Sequence, residues 1–133
     1  MRRSTAMLGT VFCLGLAALA QAPNAPLSAD EIRAEFLGTR MAGTELTSGV
    51  AFVECIEPDG RSIFRFGDDY SEGVMSSVSQ GTACFTYESG TSCFRMQRTS
   101  SAYLVSSVGG GGVFRIEHVE RNVHQCTAAD LYS

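Results

Sequence analysis

Four cysteines, Cys55, Cys84, Cys93 and Cys126, are the residues of this 133-residue chain whose spacing most directly implies chemistry. A thiol can be oxidised, hold a metal or act as a nucleophile; an even number in a short exported chain points to two disulfides. Between Cys84 and Cys93, aromatic and β-branched residues flank a Ser-Gly turn signal, so the stretch reads as a tight hairpin with one cysteine on each arm. Direct pairing of the two sets Thr86 opposite Thr91 around a loop of residues 87–90. Alternation then puts both sulfurs on one face, with Phe85, Phe94 and Met96 on the other. Four cysteines allow three connectivities, of which Cys84 with Cys93 and Cys55 with Cys126 is preferred. Chain entropy gives the ten-residue loop about 2.7 kcal/mol and the 72-residue loop about 4.4 kcal/mol. Both are large against a total stability of roughly 5–15 kcal/mol.

The remaining reactive side chains make weaker constellations. His118, Glu120, His124 and Cys126 include metal-ligand types, but no second compact pair accompanies them and an exported cysteine is more often oxidised, so no metal site is expected. Asp68, Asp69, Ser71 and Glu72 offer oxygens as a calcium loop would, without the EF-hand spacing, and read as a solvated turn. Neither a G-x-S-x-G elbow nor an H-E-x-x-H helix occurs. Two carboxylates meeting across a cleft, Glu54 with Glu117 for instance, would suit glycosidic chemistry, although such acids ordinarily sit on exposed strand faces. No catalytic residue and no cofactor is therefore assigned. The four glycines at 109–112 lack the lysine and hydroxyl of a phosphate loop and read as a hairpin tip. Phe52, Phe64, Phe66, Tyr103 and Phe114, together with Phe85 and Phe94, would line a ligand cavity if the sheet curls into a barrel; as plain core they need no ligand.

These residues need elements to position them. Arg2 and Arg3, an apolar run over 7–19 and the small-x-small close Ala18, Leu19, Ala20 make residues 1–20 a secretory signal peptide, containing the fifth cysteine, Cys13. The run is too short to span a bilayer, and no later segment is apolar enough to replace it, so no membrane span is expected after cleavage. Removing residues 1–20 takes away two arginines and no acids, moving the formal charge from -4 to -6. An acidic domain repels phosphate backbones, which argues against nucleic acid as a partner. Residues 21–26 read as a disordered tether, and 27–133 as a single disulfide-braced domain.

Leu27 opens that domain. Ser28 with Glu31 forms a capping box, Leu27 can staple onto Ile32, and Gly38 stops a helix of about nine residues that must dock to be stable. From Gly49 on, short β runs follow at 50–56, 61–66, 74–79, 82–87, 92–98, 103–108 and 113–119, with 68–73 as a polar loop. Connections this short require antiparallel neighbours. The fold class is mainly β: an antiparallel barrel, half-barrel or sandwich of about seven to eight strands capped by one short N-terminal helix.

The leader, the opening Leu27, Ser28, Ala29, Asp30, Glu31, Ile32, Arg33, and the hairpin carrying Cys84, Phe85 and Cys93, Phe94, Arg95 resemble small exported alphaproteobacterial proteins of unknown function. The resemblance implies a calycin-like, lipocalin-like fold, with a helix capping an antiparallel barrel or half-barrel. The expectation is a non-enzymatic binding or protein-interaction module, periplasmic or secreted, engaging a small apolar ligand or an envelope protein. The alternative is a small carboxylate- or His118-dependent hydrolase of the cell envelope.

Overall fold

The computed structural model describes residues 25–100 and 102–132. The expected signal peptide at 1–20, with Cys13, and residues 21–24 of the expected tether lie outside the described residues. Ala25 and Pro26, read as tether, are structured: Pro26 bridges to Gln97 and the Arg98 N–H donates to the Ala25 carbonyl at 3.1 Å.

The capping box forms as its sequence requires. The Glu31 N–H donates to Ser28 Oγ at 3.1 Å, the Ser28 N–H to Glu31 Oε1 at 3.2 Å, and α1 (Ala29–Phe36) follows. Its apolar stripe, Ile32 and Phe36, is wholly buried with Leu27. An eight-residue helix cannot stand alone in water, so this docking is what makes it.

Eight strands then run in order: β1 (Thr39–Glu45), β2 (Ala51–Ile56), β3 (Arg61–Phe66), β4 (Asp69–Ser79), β5 (Thr82–Tyr87), β6 (Gly90–Arg98), β7 (Tyr103–Ser107) and β8 (Val113–Arg121). Each pairs antiparallel with its sequence neighbour, and β8 returns to β1, so the sheet is a closed up-and-down barrel. Two expectations need correction. β1 lies where no strand was read, and β4 begins at Asp69, inside the supposed loop at 68–73. Gly43 weakens the β signal of the first and Asp69, Ser71 and Glu72 that of the second. Gly43 has a steric reason: at a bulge against β8, a Cβ there would stand 1.8 Å from the Arg115 carbonyl oxygen.

Cys84 lies opposite Cys93 and Thr86 opposite Thr91; Tyr87 also pairs with Gly90, so the turn is the two residues Glu88 and Ser89. Both disulfides are present, Cys84–Cys93 and Cys55–Cys126. The second holds the C-terminal tail across the outside of β2 and β3. A 3-10 turn (Ala128–Leu131) buries Leu131 completely there, and Arg65 Nε donates to the Leu131 carbonyl at 2.8 Å. Val53 and Cys55, on the outer face of β2, are thus buried like the inward Phe52 and Ile56. No helix among the described residues is long and apolar enough to cross a membrane.

Candidate functional site

Strand alternation sends Phe52, Glu54, Phe64, Phe85, Phe94 and Phe114 into the barrel, where they wall a cavity of about 210 Å³. Phe36 of α1 reaches its inner end. That helix is fixed by Arg98 of β6, which pairs with Glu31 at 2.9 Å and with Glu35, and by the Phe36 ring lying 5.0 Å from Tyr103. At the other end the β5–β6 hairpin brings Ser89 of the turn and Ser92 of β6, both exposed, onto the wall, so the cavity reaches solvent beside that hairpin. The rings meet edge to face, Phe52 with Phe114 at 5.3 Å and Phe85 with Phe94 at 6.0 Å, a geometry favoured by their quadrupoles.

Glu54 is the one charged side chain among the described residues on this wall. It stands opposite Met41 on β1 and Phe64 on β3, with Phe52 and Ile56 flanking it on the same strand face. Ser62 Oγ donates to Glu54 Oε1 at 2.8 Å. The carboxyl keeps partial exposure, opening on the cavity, while protein surrounds it. Burial among apolar groups pushes its pKa up to about 7, against the smaller opposing effect of the Ser62 hydrogen bond. Tyr87, across the cavity, has its hydroxyl pushed above the ordinary range, by burial first and by the Glu54 charge second. Its ring lies over Gly73, where a Cβ would come within 2.6 Å of it, so glycine at 73 makes room for the tyrosine.

Phe52, Phe64 and Phe114 thus stand on the cavity wall. Phe66 and Tyr103 do not: Phe66 stacks on Phe64 toward the open end, and Tyr103 packs on α1, where its hydroxyl accepts from Arg121 at 3.3 Å. Glu54 and Glu117 do not meet; Glu117 is exposed and accepts from Thr44 Oγ1 at 3.1 Å. His118 and His124 are exposed, Cys126 is in its disulfide, and no metal-sized group of three His, Cys, Asp or Glu side chains gathers among the described residues. Asp69 and Glu72 are exposed on β4, the latter accepting from the Tyr70 hydroxyl at 2.5 Å.

The chain matches no protein-family model, no curated protein and no solved structure. What it can do chemically is therefore argued from the cavity. An aromatic chamber with one carboxyl, a serine hydroxyl bonded to it and a phenol opposite can enclose a small apolar molecule and fix one polar end of it. Sequence reasoning singled out Glu54 only as half of a carboxylate pair. The signal for its actual setting is the strand 51–56, AFVECI, where one acid interrupts an otherwise apolar run at an inward position. Tyr87, Phe36 and Ser62 carried no such signal.

Proposed function

We propose that this protein is a non-enzymatic binding module of the bacterial periplasm or exterior, calycin-like in build, that takes a small apolar ligand into its barrel. One observation carries the reading: a cavity of about 210 Å³, closed by a helix at one end and open beside a hairpin at the other, lies inside a barrel of this size. An apolar cavity of about 150 Å³ accepts benzene, so a single-ring molecule with a short substituent is the appropriate scale. The two disulfides support the extracellular half of the reading, since such bonds persist in oxidising compartments.

Calorimetric titration of the mature protein with indole and ethylbenzene tests it. Saturable one-to-one binding is the expected result, weakened at least tenfold by Ser92→Phe, which fills the exposed mouth. The melting temperature of that variant should stay unchanged. No binding of either probe, or binding indifferent to Ser92→Phe, would falsify the reading.

A second reading has one specific observation in its favour. A carboxyl held near pH 7 inside a cavity is what a hydrolase needs in a general acid or base, and Glu54 provides it. Native mass spectrometry of protein purified from its own compartment separates the two: an intact small molecule retained favours the binder, a cleavage product the enzyme.

A further inference from the structure

We propose that the barrel selects an apolar molecule carrying one basic nitrogen, whose ammonium group rests against the Glu54 carboxylate within the aromatic wall. The proposal rests on the reading of the cavity as a ligand container and names the class of ligand.

The argument begins with what Glu54 lacks. A carboxylate taken out of water is costly unless a cation or several donors meet it. Here one neutral donor meets it, Ser62 Oγ, at 2.8 Å to Oε1. No described arginine or histidine forms an ion pair with it; the ion pairs of Arg33, Arg40, Arg61, Arg98 and Arg115 all go to other acids. Its neighbours across the sheet, Met41 and Phe64, bring no charge, and neither does Phe52 or Ile56 along the strand. Tyr87 of β5 shares the cavity wall with it, and a phenol pushed up in pKa cannot neutralise an acid. A cationic ligand would supply the positive charge that the surrounding side chains do not.

The wall suits that ligand. Ring faces carry negative quadrupole potential and attract an ammonium group, more strongly once water is excluded. Phe52, Phe64 and Phe114 are mutually packed at centroid distances of 5.3 to 6.4 Å, beside the strand position of Glu54. A hydrocarbon ring fits the remaining space, and the nitrogen is held by the acid. Burial holds the acid half-neutral near pH 7, so an arriving ammonium group displaces its proton.

The test uses the mature full chain and three matched probes: 2-phenylethylamine, 2-phenylethanol and ethylbenzene, titrated by calorimetry at about pH 8 and pH 5. At about pH 8 the amine should bind at least tenfold more tightly than the alcohol. That preference should shrink to near nothing at pH 5, where Glu54 is protonated, and in Glu54→Gln at either pH. Near pH 7 the heat of amine binding should depend on the ionisation heat of the buffer, reporting the released proton. Ethylbenzene should bind Glu54→Gln at least as well as the parent, which shows that the variant folds and keeps its cavity. Equal affinity for amine and alcohol in the parent would overturn the choice of ligand and leave the container standing. Failure of all three probes would overturn both.

Discussion

The two ends of the barrel are built differently. At one end α1 is driven in like a stopper: Leu27, Ile32 and Phe36 are wholly buried, Arg98 ties the helix to β6, and the Cys55–Cys126 bond reinforces the same half. The other end carries hairpin tips: Thr47 and Ser48, the two-residue turns at Gly67 and Asp68 and at Glu88 and Ser89, and the glycines at 109–112. There a carboxylate does the local organising. Glu45 accepts from the Ser48 hydroxyl at 2.6 Å and from the Ser48 and Thr47 N–H groups, which hold its pKa down to about 2. The contrast teaches that stability is concentrated around the stopper, which leaves the tips free to vary around an entrance.

Breaking the stoppered half should therefore do the most damage. Replacing both Cys55 and Cys126 by alanine should cost about 4.4 kcal/mol by loop entropy, against about 2.7 kcal/mol for the Cys84 and Cys93 pair, with both measured by urea denaturation. A larger loss from the hairpin pair would contradict the asymmetry. Next comes Phe36→Ala, which removes a fully buried ring from between Tyr103 and the cavity floor. It should lower stability by about 4 kcal/mol, and calorimetry should find a ligand site that accepts longer probes.

A pH-dependent effect sharpens the comparison at the point between the two ends. The folded protein holds the Glu54 proton up to about pH 7, whereas an ordinary glutamate releases it near 4.5. The folded state thus binds more protons across that interval, and stability must fall as pH rises through it. Glu54→Gln removes the dependence: it should match the parent at about pH 4 and exceed it by about 3 kcal/mol at about pH 8. Thermal melts across that range check the sign, and a parent that gains stability from pH 5 to 7 relative to the variant would contradict it.

The cysteine hairpin, the capping box and the antiparallel class were legible because each depends on residues close in sequence. β1 was not, because Gly43 argues against a strand until one knows that the Arg115 backbone passes over it, 72 positions away. The start of β4 escaped for a related reason: Glu72 faces outward opposite Ile63, and Asp69, of the opposite parity, lies exposed beside the β3–β4 turn, so polarity costs nothing at either place. Of the aromatics, Phe52, Phe64 and Phe114 share the inward parity of their strands, whereas Tyr103 is also inward but is claimed by α1, whose docking position no local pattern reveals. The setting of Glu54 depends on closure of the barrel, which sets Met41 of β1 and Phe64 of β3 beside it and Tyr87 of β5 on the same cavity wall.

Seven of the eight strand pairings join consecutive segments; the eighth, β1 with β8, joins residue 39 to residue 121. Until that seam closes, β1 and β8 each present a row of unsatisfied N–H and C=O groups, the template on which chains aggregate. Cys126 follows β8 and its partner lies on β2, so the sulfur bond acts as a latch across the seam. Formation of that bond thereby fastens the ring shut and withdraws both ragged borders from neighbouring molecules.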